Sequence, residues 1–129
     1  MDEDRAAKIS IGGVEFPLML TTKATKEIGK RYGGLENLGE KLMKAENFEA
    51  ALSEITWLIA LLANQAILIH NFKCRDDKAL QKKELLTEEE IELMTTPFDL
   101  ANYKDAILDT MYKGTKRNVE NANGFIHLS

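Results

Sequence analysis

The sequence predicts a mainly helical α+β domain, in which an N-terminal β-hairpin precedes a compact set of about five helices around a central apolar helix. Three patterns support this prediction. Apolar and polar residues alternate on both sides of Gly12-Gly13, which is typical of a hairpin. A nearly unbroken apolar run lies within residues 48–72. Helix-capping signatures occur at Thr87 and Thr96, in the second half of the chain.

The central stretch, residues 48–72, has the composition of a helix, because it is rich in Leu, Ala and Ile and contains neither Gly nor Pro. Asn47 stands before it as a candidate N-cap. Over residues 55–69 apolar side chains occupy every face, so other elements or lipid should surround the helix. That run spans only about 22 Å of the ~30 Å that a bilayer requires, and Asn64 and Gln65 interrupt it. A core helix with a second apolar face for another subunit is therefore predicted.

The N-terminal hairpin is predicted from alternation. A two-residue turn at Gly12-Gly13 should need positive φ angles at both positions. Pro17 lacks a backbone N–H, which places the second strand at a sheet edge. A lone hairpin is marginal in water, so its apolar face should rest on helices or on another chain. The alternating apolar residues are Ile9, Ile11, Val14, Phe16, Leu18 and Leu20.

Threonine caps and glycine stops bracket two short helices. Thr21 and Thr22 precede a predicted helix over residues 23–32, which Gly33 should end. A second short helix is predicted for residues 35–44, where Leu residues recur at helical spacing.

Two later helices have sequence-encoded starts. Thr87 and Glu90 form a capping box at the beginning of a short helix. Thr96 followed by Pro97 provides a cap and a proline at the first helical position, so a long amphipathic helix should begin there. Its apolar residues are spaced by three and four, and it is expected to end near Gly114.

The chain of 129 residues is predicted to hold a disordered N-terminus at residues 1–7, a single domain at residues 8–114 and a polar, loosely ordered tail at residues 115–129. The net charge of −4 comes from 17 basic residues scattered among 21 acidic ones, which disfavours nucleic acid as a partner. A single cysteine, Cys74, and an acidic N-terminus without a secretory pattern favour the cytoplasm.

The sequence offers no catalytic or ligand-binding constellation. His70 and His127 are far apart, so no metal site is predicted. Cys74 lies next to Arg75, which favours a thiolate, but it has no neighbouring histidine or second cysteine in sequence. We therefore expect no enzyme activity, no cofactor, no metal and no small-molecule substrate.

Candidate partner-binding residues lie on two helices. Trp57, within the central apolar run, is a candidate interface anchor, although a buried core position is the more common role for such an aromatic. On the last helix, Tyr103, Ile107 and Met111 are expected on one outward side, while Leu100 and Leu108 face inward. The alternative is that all five residues of the last helix belong to the core.

The order of these elements resembles the tail assembly chaperones of long-tailed bacteriophages and related prophages. The similarity covers roughly residues 8–113 and rests on short motifs. These are KISIGGVEF at residues 8–16, RYGG at residues 31–34, the box LTEEEI at residues 86–91 and the pair Asp99-Leu100 that follows it.

The resemblance implies a non-enzymatic protein in the cytoplasm of the host bacterium. Such a protein binds the tape measure protein, keeps its apolar helices soluble during tail tube assembly and is absent from the mature virion. A contact with the major tail protein stays open. Self-association is expected on separate grounds, from the edge strand of the hairpin and the surplus apolar surface of residues 55–69. The family has no catalytic residues to transfer to this sequence.

Two other classes of protein stay open. One is a small cytoplasmic helical module for oligomerisation or regulation that binds DNA, which would need a basic recognition helix, and the sequence has only scattered lysines. The other is a small enzyme that uses Cys74 with a base supplied by the fold.

Overall fold

A computed structural model describes the backbone of residues 7–43 and 48–128 and the side chains of residues 7–42 and 48–113. A two-stranded antiparallel hairpin is followed by five helices in this part of the chain, which confirms the predicted fold class. Asn47 and all but the last residue of the predicted disordered N-terminus lie outside the described residues. The elements are β1 (Ala7–Ile11), β2 (Val14–Leu18), α1 (Thr22–Tyr32), α2 (Leu35–Met43), α3 (Phe48–Lys73), α4 (Glu88–Met94) and α5 (Pro97–Leu128).

The hairpin has the turn that its glycines predict. Gly12 and Gly13 have φ angles of 57° and 82°, and Ile11 pairs with Val14 across them. The pair beside a two-residue turn exchanges hydrogen bonds, and bonded and non-bonded pairs then alternate along the ladder. Pro17 is three residues beyond Val14 and so occupies a non-bonded position. Its missing N–H therefore falls on the outer edge of β2 and costs no ladder hydrogen bond.

Helix α3 is the centre of the domain, because it contacts β2 and all four other helices. Its middle, from Ile55 to Gln65, is covered by these elements, as the prediction of a core helix requires. Burial stops at Gln65, and none of residues 66–73 is buried. The buried residues of α3 are Ile55, Thr56, Leu58, Ile59, Leu62, Ala63 and Gln65.

Within the described residues, α3 is the one helix that length and composition would allow to cross a membrane. The same test is passed by core helices of soluble proteins. Seven of its side chains pack inside this domain, which is the arrangement of a core helix.

The polar residues in the middle of α3 have specific partners. Buried Gln65 accepts a hydrogen bond from the Thr21 hydroxyl at 2.6 Å and donates one to the Leu61 carbonyl at 2.8 Å. Asn64 donates to the carbonyl of Leu86 at 2.8 Å and accepts from its N–H at 2.7 Å. Both side-chain amides are therefore hydrogen-bonded, so placing them in the middle of α3 leaves neither without a partner.

An extended segment, residues 81–87, returns along α3 from its C-terminal end, and we call it the strap. The Asn71 side chain donates a hydrogen bond to the Lys83 carbonyl at 2.9 Å and accepts one from the Lys83 N–H at 2.8 Å. Asn64 binds the carbonyl and N–H of Leu86 in the same way. Asn64 and Asn71 are seven residues apart on α3, which is about 10.5 Å along the helix. Their partners Leu86 and Lys83 are three extended residues apart, which is about 10 Å. The spacing of the two amides therefore matches the spacing of the backbone groups that they bind. The two amides thus bind the strap backbone at Lys83 and Leu86, although the strap does not form a strand.

The predicted cap residues of α1, α4 and α5 are confirmed. Thr21 caps α1 by accepting from the N–H of Ala24 at 3.0 Å, and Thr87 forms the capping box of α4 with Glu90. At the start of α5, Thr96 exchanges the same pair of hydrogen bonds with Asp99, at 2.9 and 3.2 Å.

The predicted end of the last helix near Gly114 is wrong, because α5 continues to Leu128. Gly33 ends α1 by adopting a left-handed backbone with a φ of 83°, whereas Gly114 stays helical. A glycine inside a helix costs about 1 kcal/mol relative to alanine, and no proline follows to stop the helix. The loose order predicted for residues 115–129 stays a prediction.

Two glycine-to-alanine substitutions should change stability in opposite directions. At Gly13, where no atom crowds the site, alanine must adopt a φ of 82°, so Gly13→Ala should lower the free energy of unfolding by about 1–2 kcal/mol. At Gly39, inside α2 and equally uncrowded, alanine should raise it by up to about 1 kcal/mol. Urea unfolding measures both. Equal effects of the same sign would contradict the turn and helix assignments.

Candidate functional site

The last helix is oriented differently from the prediction. Ile107 is fully buried and Met111 is 8% exposed, so these two residues face the core and not an outer side. Leu100 is buried as predicted, whereas Leu108 is only half-buried. The reason is helix geometry: Leu100, Ile107 and Met111 lie within about 40° of one another at 3.6 residues per turn. They therefore form one stripe, on a helix that packs against α3 and the hairpin.

Tyr103 is half-buried on α5, and its hydroxyl donates a hydrogen bond to the backbone carbonyl of Ser10 on β1. Burial, together with the nearby Asp99 carboxylate, raises the pKa of Tyr103, so the hydroxyl stays protonated and able to donate. Tyr103 therefore attaches α5 to the outer edge of β1. Partner binding by these α5 residues stays a prediction, but in this structure Tyr103, Ile107 and Met111 hold the fold together.

Trp57 occupies a different environment, at the junction of α1 and α3. It is half-buried, and the Arg31 guanidinium carbon lies 4.4 Å from its ring centroid. The Tyr32 ring meets it edge-on, with centroids 6.0 Å apart and an interplanar angle of 77°. Cation–π and edge-to-face contacts are each worth about 1 kcal/mol and depend on geometry. The indole is therefore held in one orientation.

Glu54, one turn before Trp57 on α3, fixes the two α1 residues. It accepts hydrogen bonds from the Tyr32 hydroxyl and from the Arg31 guanidinium at 3.2 and 3.3 Å. Burial first, and then the hydrogen bond to Glu54, raise the pKa of Tyr32. Burial opposes ionisation of Glu54, but the hydrogen bonds from Tyr32 and Arg31 outweigh it and lower the pKa of that carboxyl. The cluster thus carries a charged carboxylate and a charged guanidinium at neutral pH.

A partly exposed apolar stripe begins at this cluster. Trp57, Ala60 and Leu61 are spaced as neighbours on one side of α3, and all three are half-buried against the core. Asn64, on the same side and one turn further, holds the strap through Leu86. We call Trp57, Ala60, Leu61 and Arg31 together the Trp57 face. It is a short apolar strip with a cation at one end and the strap at the other.

The histidines, the cysteine and one cavity are the remaining candidates for a functional site. Among the residues whose placement is described, no three His, Cys, Asp or Glu side chains are grouped to hold a metal ion. The His70 ring nitrogen lies 2.7 Å from the Gln81 carbonyl of the strap, Cys74 is half-buried just after α3, and the His127 side chain is outside the described residues. A cavity of about 260 Å³ lies between the start of α3 and the α4–α5 junction, lined by Glu49, Leu52, Ser53, Thr56, Glu92, Thr95, Thr96, Pro97 and Leu100.

The sequence indicated Trp57 but not its partners. Local patterns place Arg31 and Tyr32 at the end of one predicted helix and Glu54 near the start of another. Their contact joins residues 23 positions apart, so no local spacing rule could reveal it.

Comparison with protein-family models, with curated proteins and with solved structures gives no match for this chain. The candidate site is therefore interpreted from its own geometry.

Glu54→Gln should lower the free energy of unfolding at pH 7 by about 1 kcal/mol, because it removes the charge that Arg31 and Tyr32 bind. The folded-state pKa of Glu54 is lowered, so this stabilisation is complete above the unfolded pKa of about 4.3 and is lost as pH falls through the folded value. Denaturation of both proteins from pH 7 to pH 3 should show the difference shrinking with acid. The exposed Glu84→Gln serves as a control and should change little; a constant Glu54 effect would contradict the assignment.

Proposed function

We propose that this chain is a tail assembly chaperone of a long-tailed bacteriophage or prophage. It binds an apolar helical segment of the tape measure protein in the host bacterial cytoplasm and keeps that segment soluble until the tail tube forms around it. The proposal assigns no catalytic step and no cofactor. Its first support is the resemblance described above, which spans roughly residues 8–113.

The observation that carries the proposal is the Trp57 face. It places a partly exposed tryptophan on the most apolar helix of the chain, next to an arginine and a tyrosine. These three residue types are enriched among the residues that dominate binding energy in protein interfaces. Arg31 and Tyr32 hold the indole in place before binding, so little conformational entropy is lost when a partner covers it.

The shape of the face suits a helix as the client. Ala60, one turn from Trp57, is small, so a partner backbone can approach α3 closely there. Leu61 and Trp57 flank that position with larger apolar surface. A client helix lying across the face would bury its own apolar side, which is the side that makes an unassembled tape measure segment insoluble.

We therefore propose that the client binds to α3, at Trp57, and not to α5. The α5 residues expected to bind a client, Ile107 and Met111, are inaccessible unless α5 separates from the core. Trp57, the other residue expected to bind, is partly exposed without such a rearrangement.

Trp57 is the single tryptophan in the chain, so its fluorescence reports directly on the face. Titrating the unmodified protein with a soluble tape measure fragment should shift the emission to shorter wavelength, because the client excludes water from the indole. Saturable binding with no spectral change would place the client elsewhere and contradict the proposed face.

Co-expression tests the function itself. A tape measure fragment that is insoluble alone should become soluble with this protein, and Trp57→Ala should weaken binding at least about tenfold and abolish the rescue. Phe98→Ala, which removes an exposed aromatic remote from the face, is the matched control and should still rescue. Thermal melting of both variants identifies a simple loss of folding. If the parent protein rescues no tape measure fragment, the chaperone function is wrong.

A further inference from the structure

The C-terminal end of α3 leaves large apolar side chains in solvent. Ile69 (38% exposed) and Phe72 (64%) are three residues apart, so they lie on one side of the helix. Leu80 (38%) belongs to the connection that follows, which turns back to α3, where the Gln81 carbonyl lies 2.7 Å from the His70 ring nitrogen. We call Ile69, Phe72 and Leu80 the distal surface. It is a small apolar group at one end of α3.

Basic residues accompany this apolar group. Residues 73–83 contain five basic residues and two acidic ones, a local net charge of +3 in a chain whose net charge is −4. The five are exposed, and none of them forms an ion pair with another of the residues whose side chains are described. The Arg75 guanidinium carbon lies 5.0 Å from the Phe72 ring centroid. The basic residues are Lys73, Arg75, Lys78, Lys82 and Lys83.

We propose that the distal surface binds the surface of an anionic phospholipid bilayer. Phe72, Ile69 and Leu80 enter the boundary between headgroups and acyl chains, while the five basic side chains contact the anionic headgroups. The two contributions add, because apolar burial and attraction to anionic lipid act at the same interface. The contact is with the membrane surface and is not a span, since the side chains buried between Ile55 and Gln65 remain in the core of the domain.

The acidic part of the chain lies too far away to prevent this contact. Residues 88–99 contain five acidic residues and no lysine or arginine. The strap leads away from Phe72 before that segment begins, because Leu86 is bonded to Asn64, eight residues or about 12 Å back along α3. At physiological salt the screening length is about 8 Å, so the field at Phe72 comes mainly from the basic residues beside it.

The chemistry of the distal surface fits lipid better than nucleic acid. A single-strand site needs flat side chains on which successive bases stack, and Ile69 and Leu80 have no such face. Phe72 provides a place for one base only. The surface is also separate from the Trp57 face, because Phe72 lies 15 residues or about 22 Å beyond Trp57 on α3. The proposal is therefore independent of client binding.

Sedimentation with lipid vesicles tests the proposal. The unmodified chain should bind vesicles made of equal parts phosphatidylcholine and phosphatidylglycerol, and it should not bind vesicles of phosphatidylcholine alone. Raising the salt concentration should release it. Phe72→Ser and Lys78→Glu should each weaken binding at least about tenfold, because the first removes apolar burial and the second reverses a charge at the bilayer.

Matched changes elsewhere should leave binding unchanged. Phe98→Ser removes an exposed aromatic residue from the acidic segment, and Lys41→Glu reverses an exposed charge on α2. Circular dichroism melting verifies that all four variants are folded. Absence of binding to the mixed vesicles, equal binding to both kinds of vesicle, or equal losses in the variants and their controls would each overturn the proposal.

A single-stranded oligonucleotide serves as the competing ligand. If it binds more tightly than the mixed vesicles and Phe72→Ser removes that binding, the distal surface is a nucleic-acid site and the lipid assignment is wrong. Rescue of a tape measure fragment is measured separately, so the failure of either proposal can be distinguished from the failure of the other.

Discussion

The fold depends on covering one apolar helix. Helix α3 carries apolar residues on every face, and each uncovered side chain costs free energy in proportion to its apolar area. The hairpin and the other four helices all contribute to that cover, which buries side chains between Ile55 and Gln65 in the middle of α3. Among the residues whose side chains are described, Phe48 and Phe72 at the two ends of α3 stay exposed. Surplus apolar surface is thus a property of the architecture and gives a small domain the means to bind other chains.

Polar groups on α3 determine how the covering elements attach. Gln65 holds the start of α1 through Thr21, and Asn64 and Asn71 hold the strap through backbone groups. The Glu54 carboxylate holds Arg31, whose guanidinium lies over the ring of half-buried Trp57. The same interactions that complete the fold therefore also shape the Trp57 face.

Much of the fold was predictable because its signals are local. The Gly12-Gly13 turn, the Thr87 capping box and the composition of α3 act over a few residues each, and the structure has all three. Spacing also supports the observed orientation of α5. At 3.6 residues per turn Leu100, Ile107 and Met111 lie within about 40° of one another, so an inward Leu100 requires the other two to face inward, as the alternative of a core role has it. Gly114 does not end α5, because a glycine ends a helix only where its backbone adopts the left-handed conformation, as Gly33 does. Contacts across 22 or 23 residues, such as those of Asn64 and Glu54, leave no periodic signal.

The proposed client helix would bind to α3 at the Trp57 face while the core contacts of α5 stay intact. Hydrogen–deuterium exchange on the protein with and without a tape measure fragment measures this most directly, because binding slows exchange where it covers or stiffens backbone. With the fragment bound, backbone amides should exchange more slowly in α3 around residues 53–61 and at the end of α1, and should change little in residues 97–113. Protection confined to α5, or loss of protection there as the client binds, would contradict it.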